Sequence, residues 1–551
     1  MHPNLLSDWL EKHWLIVLVI LSLVGLGLRA THHSEWLIFQ SDQSRDAFII
    51  NEAREKGFGS LPLLGPQARG SELHLGPVFY YFQYISSSIF GQRPESLAYP
   101  DLLFGVLTVP LIFFVLRLFL SPAVSLYMTA LASTSLFLVT FSRFAWNPNS
   151  LPFFTTLFAF SFLSSLESVG KKRWALLVIA AASLGIIANL HFVPAIGLMI
   201  GLTFFLILSR PLRLKEILFC AGIFLLFQVP TIVNEIRTKG DTTRSFIETV
   251  SEKNTKDDRH NAVEKVVRAS QETSRAVWIV ATGQQNTDFI LTRGFSIHCD
   301  KKCRSALPYS LAALALTGAM LFSSFLFFLR AKDPLTRKKL LFLFSWAGGF
   351  FLVTVLIAYQ VSTRFFLGII PVVFIFLGII LAHLYSLFKS NLWKSVLLGA
   401  GIILLGLNFL TTSRYLSELS ASQISPEESG KDLVFGTEHK VTLGQLRKLA
   451  DTTRERLGTG RPVVISGESR YVRSFYYLLS VENGLTGCYF KGGKENSVAS
   501  YQARIVKNKQ ERGSGLPQWE YHASFGTLAL ELFSSGELSP DNERPAGCLT
   551  N

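Results

Sequence analysis

Charge is scarce in this chain. Asp, Glu, Lys and Arg make up 17% of its 551 residues, against about 25% in an ordinary soluble domain, and acids trail bases by 39 to 53. So little charge excludes a soluble globular protein of this length. The formal net charge of +14 sits largely in short loops and comes with no nucleic-acid motif. It therefore reads as membrane topology and attraction to anionic lipid, with no nucleic-acid partner. No internal repeat of solenoid period is present. A phosphate loop is missing too: Ser466-Gly467-Glu468-Ser469 follows a strand pattern but lacks the Lys and second Gly at the needed spacing, leaving an ordinary strand-to-helix turn. Cysteine is limited to five positions. Cys220 lies in an apolar run, whereas Cys299, Cys303, Cys488 and Cys548 lie outside such runs, enough for two disulfides in an oxidising compartment, with Cys299 and Cys303 close enough for a small-loop bridge.

What is abundant is apolar. Hydrophobic residues reach 49%, aromatics 13%, and Phe alone occurs 46 times. Many stretches approach or exceed the roughly 20 residues that span a bilayer. Spans are expected at about 13–30, 98–120, 122–141, 150–169, 174–190, 192–209, 216–233, 306–330, 340–360, 365–387 and 394–412. The first is no cleaved signal, because a small-residue cleavage site is missing before Arg29. The basic groups Lys171-Lys172-Arg173, Arg210/Arg213/Lys215, Arg330 to Lys339 and Lys389/Lys394 share one side if the N-terminus is cytoplasmic, as the positive-inside rule requires. The outer side then carries residues 31–97, a short loop around Arg143–Asn149, a long loop at 234–305 and the C-terminal region. Gly76 to Gly91 is apolar and aromatic, but counting it as a span would move the Lys171 cluster outside. It is read as an interfacial or re-entrant helix, with a true span as the alternative.

Composition changes after Thr412. Helical periodicity from Val441 to Leu457, a buried strand over Pro462–Gly467 and a helical pattern over Tyr471–Leu479 predict a small α/β domain. The expected architecture is thus an α-helical polytopic membrane protein of about 11–13 spans, with residues 1–412 as the membrane domain and 413–551 as a small extracytoplasmic α/β domain.

The first outer loop concentrates the chemistry. Ser41-Asp42-Gln43-Ser44-Arg45-Asp46 places two carboxylates and a guanidinium beside the bilayer, where charge is costly and marks a site. A helical pattern opens at Asp42 and stops at Gly57, so Asp42, Arg45 and Asp46 share one face. At that end of a helix the macrodipole favours a negative charge, and a carboxylate there can take a proton from a hydroxyl or amine. The alternative is a simple N-cap, worth about 1 kcal/mol.

The order of segments carries a resemblance. After the first span and Asp42-Gln43-Ser44-Arg45-Asp46 come Leu61-Pro62-Leu63-Leu64-Gly65-Pro66, then Leu75-Gly76-Pro77-Val78-Phe79-Tyr80-Tyr81, then Ser142-Arg143-Phe144-Ala145-Trp146-Asn147-Pro148-Asn149. This resembles the GT-C superfamily of membrane glycosyltransferases over residues 1 to about 410, and most of all the family 39 group of protein O-mannosyltransferases and lipid A aminoarabinose transferases. The resemblance implies sugar transfer from a polyprenyl-phosphate donor to a lipid, glycan or protein acceptor at the outer face of a bacterial inner membrane, with the C-terminal domain periplasmic. It puts Asp42 in the place of the catalytic base and Arg45 near the donor phosphate, with Asp46 orienting Arg45 or the acceptor. Three positions depart from the pattern. Gln43 stands where a second carboxylate is common, His74-Leu75 where Glu-Lys is usual, and Asn147 near a common Asp. A divalent metal stays an open alternative: Glu72 and His74 could begin a site, but two side chains do not make one.

Arg143 and Arg364 are further candidates for the donor phosphate, with Asn147, His74 and His191 as substrate contacts. Snorkelling is the alternative for Arg143 and helix packing for His191. Residues 258–280 alternate Val263, Val266 and Val267 with charges and predict an amphipathic helix over the cavity. Two other functions remain. A lipid or polysaccharide transporter would place ionisable groups near the midplane of its spans. An O-antigen ligase or polymerase would place arginines in a large later loop, and 234–305 holds Arg237, Arg244, Arg259 and Arg268.

Overall fold

The computed structural model describes residues 3–67, 73–248, 260–288, 291–293, 296–298, 301–421, 441–458, 463–490, 501–507, 521–525, 528–534 and 548–549. Helix α1 (Pro3–Ala30) leads into a connecting segment holding α2 (Ser41–Lys56) and α3 (Val78–Phe90). Then follow α4 (Pro94–Leu116), α5 (Pro122–Thr134), α6 (Leu136–Thr140), α7 (Leu151–Ser165), α8 (Gly170–Leu190), α9 (Phe192–Ser209) and α10 (Leu214–Arg237). The long connection after α10 contains α11 (Ala262–Thr282) and a hairpin of β1 (Leu291–Arg293) and β2 (Ser296–His298). Helices α12 (Lys301–Arg330), α13 (Pro334–Leu356), α14 (Ile370–Leu387), entered through a 3₁₀ turn at Thr363–Ile369, and α15 (Asn391–Ala421) complete the membrane domain.

Among the described residues nine helices are long and apolar enough to cross a membrane. They coincide with nine of the eleven expected spans. The other two, 122–141 and 150–169, are shorter, and α7 in the second has 15 residues. The 122–141 stretch breaks at Ser135 into α5 and α6, and the freed backbone groups find partners on α15: the Asn408 Oδ1 accepts the Leu136 N–H at 3.3 Å, and the Thr412 hydroxyl donates to the Thr134 carbonyl at 2.7 Å. Such repair by a neighbouring helix is what tolerates a break at membrane depth. α3 has 13 residues, about 20 Å at 1.5 Å per residue, too short for a core of roughly 30 Å. Helices α9 and α13 press backbone to backbone at Gly197, Gly201 and Gly349. A Cβ on Gly201 would meet Trp346 Cα at 2.5 Å, and one on Gly349 the Gly197 carbonyl at 2.4 Å, a small-residue contact that larger side chains would pry apart. α15 runs nine residues beyond Thr412, where the membrane domain was expected to end.

The soluble domain contains α16 (Leu443–Leu457), β3 (Val463–Gly467), α17 (Val472–Tyr477), β4 (Gly487–Phe490), β5 (Tyr501–Lys507), β6 (Tyr521–Phe525), β7 (Leu528–Ser534) and β8 (Cys548–Leu549). Its sheet runs in the order β6-β7-β5-β3-β4-β8, with β3 parallel to β4 and β5 and the other pairs antiparallel. Cys303 and Cys488 each take part in a disulfide and Cys220 is free, while Cys299 lies outside the described residues.

This domain docks on α2. Tyr471 and Tyr477 hydroxyls accept from Gln40 Nε2 at 3.0 Å and Asn51 Nδ2 at 3.1 Å, Phe48 packs on the rings of Tyr476 and Tyr477, and Leu443 and Gly444 N–H groups bond the carbonyls of Leu37 and Glu35. At the edge Arg447 forks onto Glu95 of α4 at 3.0 and 2.8 Å and onto Glu482 at 2.9 and 2.6 Å. Arg447→Met strips the mostly buried Glu95 of its partner and should destabilise the docked state by about 2 kcal/mol, read as a lowered melting temperature of the detergent-solubilised chain with unchanged helix content.

Candidate functional site

The expected helix over 42–56 is present, and its first turn explains the cluster. Gln40, not Asp42, is the N-cap: Gln43 Oε1 accepts the Gln40 N–H at 3.0 Å in a reciprocal capping box. Asp42 is therefore not spent on capping. Its side chain is 53% exposed and its only close partner among the described residues is Arg45, at 3.5 Å. Arg45 is held from behind by Asp46, whose Oδ1 accepts from Nε at 2.9 Å and Nη2 at 2.7 Å. Asp46 is 1% exposed and also receives the Tyr80 hydroxyl of α3 at 3.4 Å. Burial pushes Asp46 up to about 6, against the pull of Arg45. Burial works against the charge of Arg45, but Asp46, Tyr80 and Asp42 outweigh it and raise its pKa, so it stays cationic. The result is a buried acid, a fixed guanidinium and an exposed carboxylate on one helix face.

A second cluster forms on the loop before α7. Asp101 of α4, fully buried, accepts the Trp146 N–H at 3.0 Å and the Ser150 hydroxyl at 2.5 Å. Trp146 carries Arg364 over its ring at 4.7 Å. The neighbouring Phe365 lies 4.7 Å from the His191 ring, and Asn147 Nδ2 donates to the Leu190 carbonyl at 2.7 Å. Arg364, Asn147 and His191 thus gather around this loop. Gln43 joins the two clusters, because its Nε2 donates to the Ala145 carbonyl at 3.0 Å. That bond gives the departure at position 43 a physical reason: an amide can both accept from Gln40 and donate to Ala145, and a carboxylate could only accept.

Arg143, His191 and His74 are also tied to backbone. Arg143 is 3% exposed, and its guanidinium donates to the carbonyls of Leu28, Arg29 and Thr31 at 2.7–3.0 Å. It caps the end of α1 rather than snorkelling or turning to the α2 cluster, and burial lowers it only to about 10, leaving it charged. His191 is the N-cap of α9, its Nδ1 accepting the Val193 N–H at 3.3 Å. His74 bridges Gln67 through the backbone, next to Gly76, where a Cβ would meet Asn189 Oδ1 at 1.8 Å. Glu72 lies outside the described residues, and among those described no three His, Cys, Asp or Glu side chains gather as a metal set. The helix expected over 258–280 is α11: Val263 and Val266 are exposed in its first half, and Glu264, Glu272 and Arg275 are buried along with Ala269, Val277, Ile279 and Val280.

Sequence reasoning passed over Asp101, hidden inside an apolar run, and Tyr80. It also passed over Arg473 of the soluble domain, whose Nη1 reaches the Ser41 carbonyl beside Asp42 at 3.4 Å while Nε bonds Tyr489.

Residues 74–233 match the family model of dolichyl-phosphate-mannose-protein mannosyltransferase. No curated protein matches by sequence. Among solved structures, ArnT from Cupriavidus metallidurans in the apo state aligns over 95% of this chain and 98% of its own at 12% identity, TM-score 0.53. The same protein bound to undecaprenyl phosphate aligns over 97% and 100%, TM-score 0.52, also at 12% identity. The oligosaccharyltransferase of Archaeoglobus fulgidus, tethered to an acceptor peptide containing the NVT sequon, aligns over 87% of this chain and 64% of its own at 13% identity, TM-score 0.50. The chain has the GT-C fold.

Burial of Asp46 is directly measurable. An infrared titration should show one carboxyl band converting near pH 6, above the usual carboxylate range of about 4, and Asp46→Asn should remove that band alone. Its persistence in the variant would assign the titration to another group.

Proposed function

We propose that this GT-C-fold protein transfers a sugar from a polyprenyl-phosphate carrier to a lipid, glycan or protein acceptor at the outer face of a bacterial inner membrane. The observation that carries the reading is the face of α2, where an exposed Asp42 stands beside an Arg45 fixed by the buried Asp46. Asp42 takes the proton of the acceptor hydroxyl or amine. The acceptor atom attacks the anomeric carbon as the bond from that carbon to the phosphate oxygen breaks. The electron pair leaves with the polyprenyl phosphate, and attack from the opposite side inverts the centre. The leaving phosphate gains charge, which a preorganised guanidinium stabilises most where it needs no rearrangement. Asp46 supplies that preorganisation for Arg45. No step here is routed through a metal.

Two relatives in fold support the substrate class, one holding undecaprenyl phosphate and one an acceptor peptide. Charge placement favours chemistry over transport. In the nine membrane-length helices the charged and histidine side chains fall within about two turns of a helix end, whereas transporters build their sites near the midplane.

Asp42→Asn should lower transfer by roughly a hundredfold to ten-thousandfold, the usual contribution of a positioned general base, with donor binding and melting temperature retained. Near-normal turnover would overturn the assignment. Arg45→Gln should raise the donor KM as well as lower kcat, and an unchanged donor dependence would remove the phosphate from its role.

A further inference from the structure

A cavity of about 230 Å³ opens between α7, α8, α9 and α10, walled by residues such as Phe158, Leu184, Met199, Leu206, Leu212 and Phe224. Its walls are apolar, so water has no partners there. A cavity of about 150 Å³ lined by similar side chains stays dry yet takes benzene, and this one is larger. Only 6% of the most apolar stretch of α10 is buried within the protein, so the surrounding medium is hydrocarbon. Along α8 the cavity residue Leu177 lies fourteen positions before His191, about 20 Å at 1.5 Å per residue. Its other walls on α8, Ala180, Ala181 and Leu184, lie seven to eleven positions before His191, so the cavity runs from the middle of α8 toward the helix end away from the α2 cluster.

The mouth of the cavity is cationic. Arg173 ties the start of α8 to the α9–α10 turn by bonds to the Pro211 carbonyl at 3.0 Å and Glu216 at 2.7 Å. That turn also supplies Leu212 to the cavity wall. Around this tie stand Lys171, Lys172, Arg210, Arg213 and Lys215, all exposed. The acids nearby are already matched, Glu216 with Arg173 and Glu167 with Lys339 at 2.9 Å. Five exposed cations thus lie on the start of α8 and on the α9–α10 connection, the two segments that meet at this end of the apolar slot. Arg210 projects from a left-handed cap at φ 42° that ends α9 at the slot.

We propose that this is a binding site for an anionic glycerophospholipid, with one acyl chain in the cavity and its phosphate among Arg210, Arg213 and the paired lysines. The site is separate from the proposed transfer site and does not depend on that reading. Basic pockets between helices are the usual receptors of anionic headgroups, each surface cation contributing about 1 kcal/mol, or about fivefold in affinity. The test uses the full chain in nanodiscs with phosphatidylglycerol carrying a diazirine in one acyl chain, with crosslinks mapped by peptide mass spectrometry. Crosslinks should concentrate on α8, α9 and α10 around the cavity, and unlabelled phosphatidylglycerol should compete while phosphatidylcholine does not. The Arg210→Gln and Arg213→Gln changes should each lower the yield about fivefold. Ala181→Leu, which fills the slot, should abolish the crosslinks; the two exposed arginine changes keep the test valid if that core variant fails to fold. Crosslinks spread evenly over all lipid-facing helices, or equal competition by phosphatidylcholine, would overturn the proposal. Stronger competition by undecaprenyl phosphate would overturn it too, giving the slot to the carrier chain.

Discussion

Helix α2 has little stability of its own. Sixteen residues are marginal for an isolated helix in water, and its polar sequence offers no lipid-facing side. Its order comes from what surrounds it: α3 and α4 beneath, the loop before α7 through Gln43, and the soluble domain through Gln40, Phe48 and Asn51. Gln40 and Gln43 fix the first turn, and that turn sets where Asp42 points. Buried Asp46 is tolerable only because Arg45 and Tyr80 satisfy it, and that same satisfaction immobilises Arg45. The packing that stabilises α2 and the geometry available for chemistry have one cause.

Hydropathy made the membrane domain legible because a bilayer leaves few options. Long apolar runs must be helices, and the basic loops mark their ends. The limits of α2 were legible for a local reason, since Gly57 at φ 95° stops it, and so was the soluble-domain order of helix, strand and helix. What a sequence cannot display is the identity of a backbone partner. Arg143, His191 and Asn147 carry side chains suited to binding, but each bonds a carbonyl or amide of α1, α9 or the end of α8. Asp101 failed to register for the opposite reason, because it sits inside an apolar stretch that reads as a plain span. The docking of Tyr471, Tyr477 and Arg447 spans more than 350 positions, beyond any local pattern.

Polarity is divided between the two faces of the membrane domain. On the α2 side acids and bases are interlocked, with Arg45, Asp46 and Asp42 in one group and Arg447, Glu95 and Glu482 in another. On the opposite side the cations around α8–α10 outnumber the acids, and those acids are paired. The first arrangement suits a site that needs fixed local fields, and the second suits attraction to a charged surface.

The docking of the last domain onto the second helix imposes an order on biogenesis. Gln40 waits for Tyr471 across 431 positions and Glu95 for Arg447 across 352. At ribosomal speeds of about 5–20 residues per second, that interval is roughly 20–90 seconds. Throughout it the segment between α1 and α4 stands without the C-terminal domain and α2 without much of its packing. The charged helix face is therefore completed by chain made more than 350 residues later, so a protein interrupted before residue 471 would be inserted and spanning, yet unassembled at the α2 cluster.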